Sequence, residues 1–325
     1  MQIYLAPLEG ITGYAYRQAV HECFGGFDKY FIPFIRAKQN LRFSSRETKD
    51  ILPENNKGMY AVPQILTRNG EDFVHTAEQI REYGYKEINL NLGCPSRTVV
   101  SKGCGAGFLD DPVALDRFLD YIFRECHMEI SIKTRIGMED SSEFSDLLRI
   151  YNKYPVKELI IHPRLQKEFY KGVPHLDVFE AALSETELSV CYNGDIFSRE
   201  DAEHIKKRFP NVDCIMTGRG VLSNPALARE ICTGQKLTKK ELKDFHDRLY
   251  ASYRQNMSGD RNVLFKMKEI WAYLGPAFTE NKKYLKKIKK SEKCAVYESV
   301  VSELFATQEL ITDTNNKGVN FLNNL

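Results

Sequence analysis

The sequence lacks the features that would mark a secreted, zinc-binding or membrane protein. Its eight cysteines are scattered without a CxxC pair, so they indicate neither a zinc site nor an oxidising compartment. We see no signal segment and no apolar run long enough to cross a membrane. The GxGxxG fingerprint of dinucleotide-binding domains is also missing. We therefore expect a cytoplasmic protein with reduced thiols, no metal and no membrane contact.

Net charge is nearly absent as well, at +2 over 325 residues, but the charges are unevenly distributed. From residue 236 onward there are 17 Lys and Arg against 11 Asp and Glu, whereas residues 1–235 hold 29 against 33. The basic excess therefore belongs to the C-terminal part of the chain. The hydrophobic content of 42% is enough for one large core and a smaller one.

Within residues 1–235, short apolar runs typical of buried strands alternate with segments of helical periodicity. Several of the helical segments begin with Asp or Ser in a capping position. Eight strands that alternate with helices predict an α/β fold of the (β/α)8 TIM barrel type. The segment 37–59 is irregular, and we predict no helix there. The eight predicted strands lie at 3–10, 27–36, 60–67, 87–95, 129–137, 158–164, 188–195 and 213–220.

The strand signals end near residue 234, and three helical stretches follow, at 238–257, 261–278 and 284–308. We therefore predict a barrel domain at 1–235 and a C-terminal helical-bundle domain at 236–325, with a polar, frayed tail at 312–325. The segment 282–293 carries seven lysines, and such a surface attracts phosphate backbones. The residues proposed here for RNA binding are Lys282, Lys283, Lys286 and Lys287.

Polar residues and glycines follow most of the predicted strands at the point where each strand ends. A TIM barrel builds its active site at this end of its strands, so we expect these side chains to surround one pocket. They are Pro7, Glu9 and Gly10, then Gln64, Asn91, Cys94, Lys133, Arg135, His162 and Arg164, and finally Asn193, Gly194, Asp195, Gly218, Arg219 and Gly220.

Cys94 is the candidate for a reactive thiol. It lies between Gly93 and Pro95, directly after a strand, and a glycine-rich loop at 103–107 follows. A free cysteine is more often a small core residue, but this position at a strand end favours an exposed thiol. Cys104, inside the glycine-rich loop, is the rival candidate.

Each of the other candidates has two possible interpretations, one functional and one structural. Lys133 would suit the negative charge that a reduced flavin gathers at one ring edge, or it forms a salt bridge with a neighbouring carboxylate. His162 would contact the same ring or has a structural role only. The loops 193–195 and 217–220 would hold a phosphate with backbone N–H groups, or they are ordinary turns.

Taken in order, these motifs resemble the tRNA-dihydrouridine synthases of bacteria, which reduce uridine in tRNA with flavin mononucleotide (FMN). The opening APLEGITGYAYR, the segment NLNLGCPSRTVV with GCGAGFL, and KTRIG, NGD and GRG correspond to family motifs. The resemblance implies a tRNA-binding helical domain after the barrel and NADPH as the reductant. It covers most of the chain, and we expect a monomer.

The resemblance also implies a role for each matching residue. Cys94 would be the general acid that protonates C5 of the uracil while hydride reaches C6. Pro7, Leu8, Gln64, Lys133 and His162 would contact the flavin ring, whereas Asn193, Gly194, Asp195, Gly218 and Arg219 would hold its phosphate chain. Asn91 and Arg135, with Arg164 as a neighbour, would meet the target base.

The sequence departs from the family pattern at four positions. Leu8 replaces the usual methionine, and Gly13 replaces the usual aspartate, so that any role of this carboxylate is lost or moved. Cys104 and Phe108 are unusual choices in the glycine-rich loop. Two other functions remain possible from the sequence: an FMN barrel oxidoreductase that acts on a free pyrimidine, and a non-catalytic RNA-binding protein.

Overall fold

Eight parallel strands form a closed barrel in the computed structural model, which describes residues 1–37 and 42–311. Each strand pairs with its sequence neighbours, and β1 closes the barrel by pairing with β8 from Gln2 opposite Cys214 to Leu5 opposite Thr217. The predicted TIM barrel is therefore confirmed. The strands are β1 (Gln2–Leu5), β2 (Lys29–Arg36), β3 (Ala61–Leu66), β4 (Glu87–Leu92), β5 (Glu129–Arg135), β6 (Leu159–His162), β7 (Val190–Asn193) and β8 (Cys214–Thr217).

Helices surround the barrel and continue beyond it at the C-terminal side. Those of the barrel are α1 (Tyr14–Cys23), α2 (Ser45–Ile51), α3 (Gly70–Arg81), α4 (Arg97–Val100), α5 (Pro112–Glu125), α6 (Glu143–Tyr151), α7 (Leu176–Ser184), α8 (Arg199–Arg208), α9 (Arg219–Ser223) and α10 (Leu227–Thr233). The C-terminal helices are α11 (Lys239–Asn256), α12 (Asp260–Leu274), α13 (Lys282–Lys290) and α14 (Cys294–Thr307). Short 3-10 helices span Pro53–Asn56, Gly105–Asp110, Gln166–Glu168 and Gly275–Ala277.

Local sequence explains where several helices begin. Ser44 and Glu47 form a capping box at α2, because the serine side chain accepts from the Glu47 N–H and the glutamate accepts from the Ser44 N–H. Thr238 and Glu241 do the same at α11. At α5, Asp111 caps the helix and Pro112 occupies the first turn, where its missing N–H costs nothing.

The strands bury both of their faces, which is why their sequences are apolar runs with few polar interruptions. In β1, Ile3 and Leu5 pack outward against helices, whereas Tyr4 joins a small cluster with Phe31 and Met216 that fills the barrel interior. At the other end of the barrel, where the strands begin, the charged side chains are paired. Lys29 Nζ lies 3.1 Å from Glu87 and 3.3 Å from Glu158, and the hydroxyl of Tyr4 donates to Glu158 at 2.8 Å.

The C-terminal helices pack against the barrel through one continuous hydrophobic core. This core joins residues of β1, α1 and α9 to residues of all four C-terminal helices, among them Tyr16, Val221, Phe245, Trp271 and Tyr297. The ring of Tyr16 meets that of Phe245 edge-on, with centroids 5.7 Å apart. Helix α12 also reaches the barrel mouth, since the Lys266 ammonium donates to the carbonyl of Gly10.

The structure corrects two details of the sequence prediction. The stretch 284–308 is not one helix, because α13 ends at Lys290 and α14 starts at Cys294. The segment 37–59 does contain a helix, α2, and a 3-10 turn. The predicted frayed tail at 312–325 lies outside the described residues. Within the part of the chain that the structure describes, no helix is both long and apolar enough to span a bilayer.

Candidate active site

A cavity of 440 Å³ opens at the C-terminal ends of the barrel strands. The structure brings most of the predicted site residues together in its wall: Pro7, Leu8, Gln64, Asn91, Cys94, Lys133, Arg135, His162, Asn193, Gly194, Asp195, Gly218 and Arg219. Arg164 and the four lysines of α13 do not line it. The size is that of a pocket for a cofactor or a small substrate.

Hydrogen bonds across three strands fix the backbone at Cys94. The side chain of Asn89 in β4 accepts from Gln64 Nε2 at 2.7 Å and donates to Ser131 at 3.0 Å. Gln64 in turn accepts from Asn91 Nδ2 at 2.7 Å. The Asn91 carboxamide oxygen then accepts from the backbone N–H of Cys94 at 2.9 Å. The turn that presents the thiol is therefore held from inside the barrel.

The Cys94 thiol is half-buried at the pocket wall and rests on an apolar cluster of Phe34, Leu66 and Val99. Burial is the main cause that raises its pKa, and the charge of Glu9 adds to the effect, whereas Arg135 lowers the pKa. Because a thiol titrates above neutral pH even when unperturbed, Cys94 is protonated at neutral pH. It can therefore donate a proton.

The glycine-rich loop packs directly under this thiol. Gly105 has φ +57°, in the left-handed region, and a Cβ there would lie 2.9 Å from the Cys94 carbonyl oxygen and 3.0 Å from the Cys94 Cβ. Only glycine fits both requirements. Cys104 packs on the same apolar cluster but does not line the pocket.

Lys133 projects into the pocket from β5 and pairs with no carboxylate among residues 1–37 and 42–311. Burial and the nearby charge of Arg135 lower its pKa to about 7. The alternative of a simple salt bridge is thus wrong for the described residues. A cation whose charge is this costly would be stabilised by an anionic ligand.

Arg135 ties the Cys94 turn to the loop after β6. Its guanidinium donates to the carbonyls of Gly93 at 3.0 Å, Leu165 at 2.9 Å and Phe169 at 2.6 Å. Burial lowers its pKa to about 10, so that it remains a cation at neutral pH. Arg135 has five N–H groups, more than these three hydrogen bonds use, and its side chain also lines the pocket.

His162 is buried at the end of β6 and lines the pocket. Burial and then the charges of Arg135, Lys133, Arg164 and Arg219 hold its pKa well below the usual range, and the imidazole is therefore neutral. The Arg164 guanidinium lies 3.1 Å from His162 Nε2 and can only donate. The ring proton is therefore on Nδ1.

Arg164 is fully buried behind the pocket wall. Its five N–H groups are all engaged: two with the Asp195 carboxylate at 2.5 and 3.0 Å, one with His162, and two with the carbonyls of Lys171 and Gly172. This geometry gives Arg164 a role in holding the loops after β6 and β7. Contact between Arg164 and a target base stays a prediction.

The loops after β7 and β8 form the far end of the pocket. The Asp195 carboxylate links Arg164 to Arg219, whose Nη2 lies 2.6 Å away. Asp195 has φ +40°, a conformation that Asp adopts more easily than most residues. Within the described residues, the backbone N–H groups of Gly194, Asp195, Gly218 and Arg219 donate to no protein acceptor. Four free N–H groups beside an arginine form a donor set suited to phosphate.

The four lysines proposed for RNA binding lie away from this pocket, on α13. Tyr284 and Ile288 bury the inner face of that helix. Lys282, Lys283 and Lys286 form no ion pair with any described residue, and Lys287 lies 3.4 Å from Glu303. The lysine side chains therefore belong to the outer surface of the helical region.

The sequence prediction missed several aromatic residues of the pocket wall, among them Tyr170 and Tyr273. The ring of Tyr170 lies 4.7 Å from the Arg219 guanidinium and 5.5 Å from that of Arg135. Its position in the loop after β6 was an available signal. Tyr273 comes from α12, and no local pattern could show that this helix reaches the barrel mouth.

The residues that the structure describes contain no group of three or more His, Cys, Asp or Glu side chains arranged to hold a metal ion.

Comparison with known proteins gives a family match over nearly the whole chain. The family model described as dihydrouridine synthase (Dus) matches residues 4–312. The tRNA-dihydrouridine(16) synthase of Cupriavidus necator is 29% identical over 71% of this chain and 73% of its own. The corresponding enzyme of Pseudomonas syringae pv. tomato is 30% identical over 73% of this chain and 76% of its own. Among solved structures, a morphinone reductase superposes with a TM-score of 0.51 at 12% identity, covering 75% of this chain and 88% of that one. The last match concerns the fold alone.

Proposed function

The chain belongs to the dihydrouridine synthase family, and from this premise we propose that it reduces a D-loop uridine of tRNA to 5,6-dihydrouridine with FMN and NADPH. The reaction adds two electrons and two protons across the C5–C6 bond of uracil. The protein must therefore hold a flavin, admit one base beside it and supply a proton.

The pocket suits a flavin at both of its ends. Lys133 is a cation that no described carboxylate compensates, and the neutral His162 lies near it. The electron-rich edge of a flavin ring would stabilise the charge of Lys133. The free N–H groups after β7 and β8, together with Arg219, suit the phosphate. Leu8 and Pro7 would provide an apolar contact for the ring. When bound and reduced, FMN supplies the hydride that C6 accepts.

Cys94 donates the proton to C5 in this proposal. Its thiol is neutral because burial raises its pKa, and its backbone is fixed through Asn91. A proton donor in this position typically contributes about 100-fold to 10,000-fold to the rate. NADPH, rather than NADH, stays a prediction, as do the cytoplasmic location and the monomeric state.

The target base would be held by two side chains that lie beside the Cys94 turn. Asn91 Nδ2 has one N–H beyond its bond to Gln64, and Arg135 has N–H groups beyond its three carbonyl bonds. Both could donate to uracil carbonyls. Tyr170, whose ring packs between two arginines, would border the base on the loop side.

We assign the tRNA body to the helical region at 236–325. The lysines of α13 would contact phosphates, while Tyr273 brings the same region to the pocket wall. Taking the uridine out of the folded RNA costs stacking energy, and a second contact surface offsets this cost.

The observation that carries the proposal is that one pocket contains both a thiol kept neutral by burial and a lysine without a carboxylate partner in the described chain. The test is an absorption spectrum of the purified protein followed by mass spectrometry of nucleosides from unmodified tRNA incubated with it and NADPH. A yellow protein that forms dihydrouridine supports the proposal. A protein that takes up no FMN would overturn it.

A further inference from the structure

Three exposed cations from separate parts of the chain lie close together around Cys104, near one side of the pocket. Arg36 is the last residue of β2, Arg68 follows β3, and Lys102 follows α4 in the loop that carries Cys94. All three act on the Cys104 thiol, where their charges lower a pKa that burial raises. Arg36 acts on the Cys94 thiol in the same way. These three residues, called the rim cations below, therefore cluster around Cys104, and Arg36 also lies near the proposed proton donor.

Protein contacts place two of the rim cations, Arg36 and Arg68, at this edge. The Arg36 guanidinium lies 5.6 Å from the ring of Phe34, which itself lines the pocket. The Arg68 guanidinium covers the backbone of Gly103, because a Cβ at that glycine would lie 2.5 Å from Arg68 Nη1. Beneath them, Phe34 packs with the apolar cluster that supports Cys94 and Cys104.

The rim cations have no counter-charge in the described part of the chain, where none of them forms an ion pair. The arginines in and behind the pocket wall differ. Arg164 and Arg219 hold the Asp195 carboxylate, and Arg135 donates to three carbonyls. Solvated like charges repel each other only weakly, so the absence of ion pairs does not by itself indicate a binding surface. Their position is the stronger argument, because they cluster around Cys104, which packs on the same apolar cluster as the pocket residue Cys94.

We propose that Arg36, Arg68 and Lys102 form a phosphate-binding surface that holds the RNA backbone beside the target uridine. This inference rests on the proposed function. A uracil can reach Cys94 only if its nucleotide is turned out of the RNA, and its neighbouring phosphates must then pass over the rim of the pocket. The helical region borders that rim on the β1 and β8 side through Tyr273 and Lys266. The rim cations border it on the β2 to β4 side, so that the RNA is held from both sides.

The test compares tRNA binding by the wild type and by the triple variant Arg36→Gln, Arg68→Gln and Lys102→Gln over a series of salt concentrations. If each cation meets one phosphate, the slope of log K against log salt should become shallower by about 2, and affinity at low salt should fall on the order of 10-fold or more. Flavin content equal to the wild type shows that the variant is folded.

The matched control removes the same charge at Lys86, Arg117 and Lys207, also as glutamine. These are exposed cations at the start of β4, on α5 and on α8, and they form no ion pair with described residues. The control should keep the wild-type salt slope. If the wild type forms dihydrouridine but the triple variant binds tRNA like this control, the proposed phosphate-binding surface is wrong and the proposed function still holds. A wild type that forms no dihydrouridine would overturn both.

Discussion

Cys94 gains its position from a chain of buried polar side chains on β3, β4 and β5. The hydrogen bonds from Ser131 through Asn89, Gln64 and Asn91 end on the Cys94 N–H. A buried polar chain of this kind is stable only when every member is satisfied. The barrel thus sets the direction of the thiol, while the half-buried surroundings of the thiol set its protonation.

Lys133 gives the site a dependence on pH. Its pKa is about 7 in the free protein, so the lysine is mainly charged below pH 7 and mainly neutral above it. Binding an anionic flavin would raise this pKa, because the charged form gains a partner. Affinity for reduced FMN should therefore be constant at low pH and fall above pH 7, by up to about 10-fold per pH unit.

Titration of the apoprotein with reduced FMN between pH 6 and pH 9 measures this dependence. The Lys133→Met variant should bind more weakly at pH 6 and lose most of the pH dependence. Lys157, which pairs with Glu129 at the opposite end of the barrel, provides a control as Lys157→Met. A Lys133→Met protein with the wild-type pH profile would contradict the role given to Lys133.

At the scale of elements, a carboxylate from α2 lies beside Gly13, the position where the family pattern has an aspartate. Asp50 from α2 accepts from the Tyr14 N–H at the start of α1, at 2.6 Å, and lies 3.6 Å from the buried Arg17. A Cβ on Gly13 would lie 3.2 Å from the same Asp50 oxygen. Asp50 therefore occupies the place that an aspartate at position 13 would take.

This replacement predicts coupling between the two positions. Asp50→Ala should lower the free energy of unfolding by about 3 to 5 kcal/mol, because it leaves Arg17 buried without its carboxylate. Adding Gly13→Asp should restore at least about 1 kcal/mol, through a helix cap and a new partner for Arg17. Gly13→Asp alone should destabilise, since two carboxylates would then compete for one place.

Urea unfolding of the wild type, both single variants and the double variant measures these free energies. A double variant no more stable than Asp50→Ala would show that Asp50 does not stand in for the missing aspartate.

Sequence patterns located the eight strands because each is a short apolar run bounded by glycine or polar residues. They did not show the end of α13. No glycine or proline interrupts the chain there, and tertiary contacts end the helix instead. Lys268 Nζ donates to the Ser291 carbonyl at 2.6 Å, and the Cys294 N–H donates to Asp260 at 2.8 Å. The start of helix α2, in contrast, could have been predicted from the sequence, because Ser44 and Glu47 have the spacing of a capping box.

The pocket shows the same division between local and tertiary information. Strand-end positions such as Gln64, Lys133 and Asn193 could be placed from the sequence, because parallel strands in a barrel end at one face. The engagement of all five N–H groups of Arg164 depends on the end of β6 and on two loops that only the fold brings together. The same holds for Tyr273.

For the whole molecule, the shared core predicts that barrel and helical region unfold together. The single tryptophan, Trp271, is buried in the helical region, where its N–H donates to the Tyr297 hydroxyl at 2.7 Å. Cys191 and Cys214 are buried inside the barrel. Trp271 fluorescence and alkylation of these two thiols, located by mass spectrometry, should report one urea midpoint. Two resolved midpoints would show that the regions are independent units and that the shared core contributes little.

The proposed function requires the formation of dihydrouridine with a proton from Cys94. The most direct measurement is a single-turnover reaction of the chemically reduced protein with unmodified tRNA, with dihydrouridine quantified by mass spectrometry. The wild type and Cys104→Ala should react at similar rates, whereas Cys94→Ala should keep its flavin and its tRNA affinity but react about 100-fold to 10,000-fold more slowly. Wild-type rates in Cys94→Ala, or no dihydrouridine from the wild type, would contradict the account.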